Sequence, residues 1–399
     1  MEKNKKKRLW LLVAILILTN VFTFALATSG SLILGNRLLI TVDDEETKNG
    51  IIKLLALKSQ IEEEYYQDVD SKTLMEGAVK GMFESLDDPY SAYFTQEEYE
   101  SYMASATGVY EGIGVVVSED DNQNTFVIAP QKGTPADVAG IQTGDQIIRV
   151  DGEDVTSLGV DEVVSRVRGP ADSQVTVTIA RDGQEMDFTL TRSSIETTTV
   201  DSRVINGVGY IQISEFASNT AEEFNQQLDD LLSQNITGLV IDLRSNPGGN
   251  VQVAVDIADR LLGETVVVYT EDKDGNRTDY KSDATEQLVL PMTVLVDGGS
   301  ASSSEILAGA LQDTQTATLV GTTTYGKGVV QIIKGLDGEG GFKVTNSEYF
   351  TPNGRNIQGV GLEPDVTIEA TDYMINNYFT DEEDVQLQKA LEVISQKNQ

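Results

Sequence analysis

The chain has 399 residues, 40% hydrophobic and 23% charged, enough apolar mass for two or three globular domains. It contains no cysteine and no histidine, which excludes disulfide frameworks, thiolate nucleophiles, zincin sites and any Ser-His-Asp or Cys-His arrangement. Acid–base work is left to carboxylates, lysine or tyrosine, and a formal net charge of −35 argues against a nucleic-acid partner.

Residues 1–8 carry five basic groups against one glutamate, and Leu9–Ala27 follows as an uncharged run rich in Leu, Ile, Val and Phe. As a helix this run matches a hydrocarbon layer of ~30 Å, and the preceding basic residues predict a short cytoplasmic tail with the rest outside. Cleavage as a signal peptide is the alternative, because Ala25-Leu26-Ala27 has a small-residue cleavage pattern. Both readings place the body of the protein outside a bacterial cytoplasm, either held by a single-pass membrane anchor or secreted.

From Glu45 to about Met103 the pattern is helical, with Ile51, Ile52, Leu54, Leu55, Leu57 and Ile61 as one apolar set. Asp87-Asp88-Pro89-Tyr90-Ser91 breaks it, since Pro89 lacks an N–H and restricts Asp88. From Gly108 to about Arg192 short β-type runs alternate with turns, Asp151-Gly152 and Asp182-Gly183 among them, and Asp161–Val167 reads as an amphipathic helix. From about Thr198 to Ala370, strands alternate with helices, which argues a layered α/β core. A polar-faced helix with Val385, Leu387, Ala390, Leu391 and Ile394 as its stripe closes the chain. Asp272-Lys273-Asp274-Gly275-Asn276 has an incomplete calcium-ligand series and reads as a hairpin turn.

Three segments could carry chemistry. Asp297–Glu305 runs from a buried strand into a helix, and a serine at such a turn, backed by its neighbour's N–H, has the geometry of an acyl-transfer nucleophile. Ser302-x-x-Glu305 is equally a capping box. In Thr324-Tyr325-Gly326-Lys327-Gly328, a desolvated lysine would lose pKa toward ~7–8 and become a base; a solvated turn is the alternative. In Asp242–Gly249, glycines after a strand either aim N–H groups at an oxyanion or form a tight turn. No serine has a lysine three residues on, so the S-x-x-K helical motif is missing. A base for this serine must come from elsewhere in the fold, as Lys327 would.

These segments resemble the carboxy-terminal processing proteases, the tail-specific serine proteases of family S41. Gly299-Ser300-Ala301-Ser302-Ser303-Ser304-Glu305-Ile306 resembles the family's nucleophile segment and Gly326-Lys327-Gly328 its general-base segment. The 25-residue separation of Ser302 from Lys327, with Gln331 four further on, is the family's spacing. The resemblance implies Ser302 as nucleophile, Lys327 as base, Gln331 as the residue that orients the lysine, and backbone N–H groups of Gly248 and Ser303 as the oxyanion hole. Most members carry Ala where Ser303 stands, which leaves the N–H in place. Leu86–Ser91, Tyr210–Ser214, Thr351–Arg355 and Gly361–Asp365 also resemble family segments, with Asp313 and Arg355 read as structural.

Residues 108–192 resemble a PDZ domain in circularly permuted form. Gly112-Ile113-Gly114-Val115 corresponds to the loop that receives a free chain terminus, and the helix Val160–Val167 would contribute a pocket for apolar C-terminal residues. Arg168 either reports occupancy to the protease core or is a solvated helix-end cation.

The expected architecture is multidomain α+β: a basic tail and membrane helix (1–28), a helical segment suited to dimerisation (29–106), a PDZ domain (107–193), an α/β, crotonase-like Ser–Lys protease core (194–370) and a C-terminal helix (371–399). The expected activity is endoproteolysis near substrate C-termini. Neither metal nor cofactor is implied; the expected partners are protein substrates with apolar C-termini, the membrane and a second copy of the chain. The rivals are a catalytically silent PDZ scaffold and a crotonase-type acyl enzyme, which would need neither PDZ segment nor export signal.

Overall fold

A computed structural model describes residues 44–120, 122–283, 285, 287–371 and 380–397, together with 16, 19, 42 and 374 and the backbone of 31–34 and 37–40. Apart from Leu16 and Thr19, the expected membrane span lies outside these residues. Among the described residues no helix is long and apolar enough to cross a membrane. Residues 1–82 and 83–399 form two separate compact units.

In the first unit β1 (Ser31–Leu34) and β2 (Arg37–Ile40) pair as an antiparallel hairpin, which the helical reading of this segment did not anticipate. α1 (Glu45–Glu64) starts at Asp44, whose carboxylate accepts from the Thr47 N–H. Neither α1 nor α2 (Ser71–Glu84) buries a single residue. The apolar set Ile51 to Ile61 therefore lies exposed on α1.

The second unit begins with the expected break, where Asp87 takes a left-handed φ of 52°. β3 (Ala92–Phe94) and α3 (Gln96–Thr107) follow. Thr95 and Glu98 form a complete capping box on α3. β4 (Val109–Gly112) leads into a β module built from β5 (Val115–Glu119), β6 (Thr125–Pro130), α4 (Pro135–Ala139), β7 (Gln146–Val150), β8 (Glu153–Asp154), α5 (Val160–Val167), β9 (Gln174–Arg181) and β10 (Gln184–Thr191). Its sheet order is β10-β9-β7-β6-β5, with β8 on β7. Asp182 and Gly183, φ 52° and 77°, turn β9 into β10 as the Asp-Gly pair predicts. The chain leaves the module through β11 (Ser193–Glu196), which pairs antiparallel with β4.

The core comprises β12 (Val200–Ile205), β13 (Val208–Ile213), α6 (Thr220–Ser233), β14 (Leu239–Asp242), α7 (Val251–Leu261), β15 (Thr265–Asp272), β16 (Arg277–Ser282), β17 (Met292–Val296), α8 (Ser303–Asp313), β18 (Ala317–Gly321), β19 (Val329–Gly335), β20 (Gly341–Phe350), β21 (Val366–Thr367) and α9 (Val385–Lys397). The main sheet runs β12-β13-β14-β17-β18-β21, parallel from β13 onward. Strands β14 and β17 are buried at every residue, as a parallel sheet covered on both faces requires. One face packs against α6, α7 and α8. The other packs Tyr210, Val240, Leu295 and Val320 against Leu387, Ala390 and Ile394 of α9. The C-terminal stripe is thus largely consumed by the core, leaving Val385 exposed.

A second sheet, β16-β15-β20-β19, also receives β3 on β20 through the partners Gly341–Phe94, Phe342–Tyr93 and Lys343–Ala92. That pairing assigns residues 83–106 to the larger unit, where the sequence placed them with the N-terminal helices. The Asp272–Asn276 segment is a hairpin turn as expected: Asp272 Oδ1 accepts from the N–H groups of Asp274 and Asn276.

Candidate active site

The loop after β17 and the first turn of α8 bring four serines together, and their hydroxyls separate by use. Ser300 Oγ donates to Leu243 O at 2.7 Å, Ser303 Oγ to Gly249 O at 2.9 Å, and Ser304 Oγ to Asn246 O at 2.9 Å. Ser302 makes none of these backbone ties. It sits at φ 54°, ψ −113° immediately before α8, in a region that costs a non-glycine residue about 1–3 kcal/mol and that recurs at functional turns.

Glu305 is fully buried, and its carboxylate does far more than start a helix. Oε2 accepts from the N–H groups of Ser302 and Lys327, each at 2.9 Å. Oε1 accepts from Thr324 Oγ1 at 2.5 Å and the Gly326 N–H at 2.8 Å. The capping contact expected from Ser302-x-x-Glu305 is present, and the same carboxylate fixes the lysine loop to it. In the sequence Glu305 reads as a cap within the family-like segment 299–306, and its tie to the lysine loop leaves no local signal.

The glycines flanking Lys327 are required by the chain that packs over them. A Cβ on Gly326 would stand 2.9 Å from Gly361 N, and one on Gly328 2.7 Å from Gln358 N. Lys327 itself is largely removed from solvent. Burial pulls its pKa below the ordinary lysine value and nearby Lys343 acts in the same direction, while Asp88 and Glu305 oppose them. The ammonium lies 4.9 Å from the centroid of the Tyr90 ring.

Gln331 lies on β19 and donates from Nε2 to Thr345 Oγ1 at 3.1 Å. Among the described residues, no hydrogen bond joins it to Lys327 or joins Lys327 Nζ to Ser302. The structure therefore brings Ser302 and the Lys327 backbone to one carboxylate but leaves Gln331 tied to a neighbouring strand.

Gly248, at φ 100°, presses against the Ser302 turn: a Cβ there would stand 2.6 Å from Ala301 O, 2.8 Å from Ser302 Cβ and 2.9 Å from Ser303 N. Its N–H, expected in the oxyanion hole, donates instead to Asn246 Oδ1 at 2.8 Å. The Ser303 N–H opens α8 and is bound to no acceptor among the described residues, which suits it to an oxyanion. Arg355 Nη2 pairs with Asp313 Oδ1 at 2.5 Å, and Asn353 N–H donates to Asp313 Oδ2, consistent with their structural reading.

In the β module, a cavity of about 240 Å³ lies between β5 and α5. It is lined by Gly112, Ile113, Gly114, Val115, Val163 and Val167, with Arg168 and Tyr110 also on its wall. Arg168 stacks over Tyr110, 5.3 Å from the ring centroid. Gly114 is obligatory, at φ 80° and with Thr134 Cβ only 2.3 Å from where its own Cβ would be. Strand β5 forms an edge of its sheet, open to an added strand. Among the described residues no cluster of Asp and Glu is placed to hold a metal ion.

Comparison with known proteins matches residues 207–368 to peptidase family S41, 104–180 to the PDZ domain, and 38–98 to the N-terminal domain of the activating protease CtpB. The chain is 36% identical over 373 residues to the carboxy-terminal processing protease CtpA of Bacillus subtilis, covering 92% of this chain and 79% of that one. It is 38% identical over 326 residues to a carboxyl-terminal-processing protease of Synechocystis, with 80% and 76% covered. A carboxy-terminal-processing protease of Bartonella bacilliformis is 34% identical over 358 residues, with 87% and 82% covered. Likeness of this degree along most of both chains, together with a strained serine beside a buried lysine loop, establishes that the chain belongs to the carboxy-terminal processing serine proteases of peptidase family S41.

Proposed function

We propose that the chain is an extracytoplasmic Ser–Lys endopeptidase that cuts protein substrates near apolar C-termini, held at the membrane by Leu9–Ala27. The observation that carries this reading is the Glu305 carboxylate, which accepts from both the Ser302 and Lys327 N–H groups while the three neighbouring serine hydroxyls are spent on backbone carbonyls. Neutral Lys327 takes the Ser302 proton, and Oγ attacks the scissile carbonyl. The Ser303 N–H receives the oxyanion, joined by Gly248 once the Asn246 side chain releases its N–H. Lys327 passes its proton to the leaving amine and then activates the water that hydrolyses the acyl-enzyme. Gln331 orients the lysine after leaving Thr345.

The groove between β5 and α5 receives the substrate terminus by strand addition, its carboxylate at Gly112–Val115 and its last side chain among Val163 and Val167. Arg168, on the wall of that groove, couples occupancy to the core. A crotonase-like ancestry of the core and pairing of two copies through the exposed face of α1 belong to the same reading.

The test is incubation of the purified full-length chain with an unstructured protein ending in apolar residues, beside Ser302→Ala and Lys327→Ala. Cleavage by the parent and by neither folded variant supports the dyad. A parent that binds the tail without cutting it favours the scaffold instead. Unchanged tail-stimulated cleavage by Arg168→Ala removes the coupling role.

A further inference from the structure

The segment between α2 and β3 carries a tyrosine that the mechanism above leaves unused. Tyr90 offers its ring face to the Lys327 ammonium at 4.9 Å. The segment is held rigidly: Ser91 Oγ donates to Asp88 Oδ2 at 2.5 Å, and the Tyr90 N–H donates to Asp88 Oδ1 at 3.0 Å. It is also fastened to the strand that holds Gln331, because the Thr345 N–H donates to Ser91 Oγ at 3.0 Å while Thr345 Oγ1 accepts from Gln331. One short segment therefore meets the base and is linked, through Thr345, to the residue expected to orient it.

An aromatic face attracts an ammonium and gives a neutral amine little. The ring thus favours the form of Lys327 that cannot take a proton from Ser302. We propose that Tyr90 is a positioning residue that holds Lys327 as a cation off the nucleophile and so sets the pH at which the base becomes available. This rests on the Ser302–Lys327 reading. The other charged or titratable groups around Lys327 are Asp88, Glu305 and Lys343, with Tyr325 beside Tyr90. All four remain in the variants below, so the contrast between them isolates the ring.

The experiment compares full-length parent, Tyr90→Phe and Tyr90→Leu in kcat/KM against pH. Tyr90→Leu is expected to move the acid limb down by about 0.5–1 pH unit, which raises activity on that limb about 3–10-fold. Tyr90→Phe, which keeps the face, leaves the limb in place. Tyr90→Met replaces the leucine variant if that one does not fold. Independently of turnover, the Lys327 side-chain carbon resonance is titrated in a Ser302→Ala background with 13C-labelled lysine, assigned through Lys327→Met; the same downward shift is expected on adding Tyr90→Leu. A shifted resonance in a chain that cleaves nothing keeps the hold of Tyr90 and sinks the dyad. An unmoved limb and resonance in Tyr90→Leu overturns the proposal. So does an equal shift in Tyr90→Phe, or a lower plateau with the limb unmoved.

Discussion

The backbone N–H groups of Ser302 and Lys327 donate to a single oxygen, Glu305 Oε2, at 2.9 Å each. Two residues far apart in sequence are thereby referenced to one atom, so the lysine loop cannot drift from the serine turn without breaking a charge-assisted bond in a buried site. Hydrogen bonds to charged groups are worth about 1.5–3 kcal/mol apiece, and Glu305 accepts four.

Glu305→Gln tests that clamp. An amide offers one acceptor oxygen where both carboxylate oxygens receive N–H groups, so one edge must meet donors with donors. We expect kcat to fall at least about 100-fold, as for a small misplacement of reacting groups, with a lower melting temperature. A variant with parental kcat would show that the clamp does not position the loops.

Ser302→Ala and Ser302→Gly are both expected to be inactive, yet to differ in stability. Only glycine relieves the left-handed φ of 54°, so it should be the more stable by about 1 kcal/mol despite its entropic cost. Equal urea midpoints would mean that the turn stores no strain.

Gly248→Ala places a Cβ against Ala301 O and Ser303 N. Backbone must move, and the part that moves carries both Ser302 and the Ser303 N–H that opens α8. We expect a loss of about 100-fold or more in kcat with substrate binding retained. Measuring peptide affinity beside turnover separates this outcome from unfolding.

The pH dependence has a definite sign. Burial and Lys343 lower the Lys327 pKa, so activity should rise with pH and level off below the ordinary lysine value of ~10.4. Activity unchanged down to about pH 5 would rule out this base. Because the folded pKa lies below the unfolded one, the unfolded chain binds the proton more readily between the two values. The charged lysine thus weakens the fold at neutral pH, and the penalty fades as pH climbs toward the ordinary value. Lys327→Met should accordingly melt higher than the parent at neutral pH, by a margin that shrinks in alkali.

Arg244 bridges Asp242 and Asp384 at 2.5 and 2.8 Å, with both acids almost wholly buried. Asp384 also accepts from the N–H groups that begin α9. Asp384→Ala leaves a buried arginine short of a partner and should cost about 3–5 kcal/mol. The mostly exposed Asp229, paired with Arg260 on the surface, gives the control: Asp229→Ala should cost about 1 kcal/mol or less. Equal urea midpoint shifts would refute the contrast.

The main sheet was readable in the sequence because β14 and β17 are covered on both faces, which leaves continuous apolar runs such as Met292–Val296. Of the second sheet only the β15–β16 hairpin was, through its Asp272–Asn276 turn. β16 itself is exposed along most of its length and reads Arg-Thr-Asp-Tyr-Lys-Ser, and β3 finds its partner on β20 some 250 residues away; that pairing leaves no local pattern. At the site, the resemblance to the family's spacing singled out Ser302 and Lys327, and the structure separates Ser302 from its neighbours by the carbonyls that they reach. Glu305 and Tyr90 escaped because their partners lie across the fold: a cap and a helix break are complete local explanations for residues that also touch the lysine. The orientation of Gln331 toward Thr345 depends on a register shift between β19 and β20, which no sequence period encodes.

The ribbon of β4 and β11 closes at its root, where the Thr197 N–H donates to Gly108 O at 2.8 Å. The chain therefore leaves the core and returns to it through one doorway a single hydrogen bond wide. Everything between those residues is an insert whose length and sequence can change while the ends stay where they are. A lineage, or a protein engineer, can exchange the PDZ module at Gly108 and Thr197 as a cassette and leave the serine turn, its carboxylate and the lysine loop unaltered.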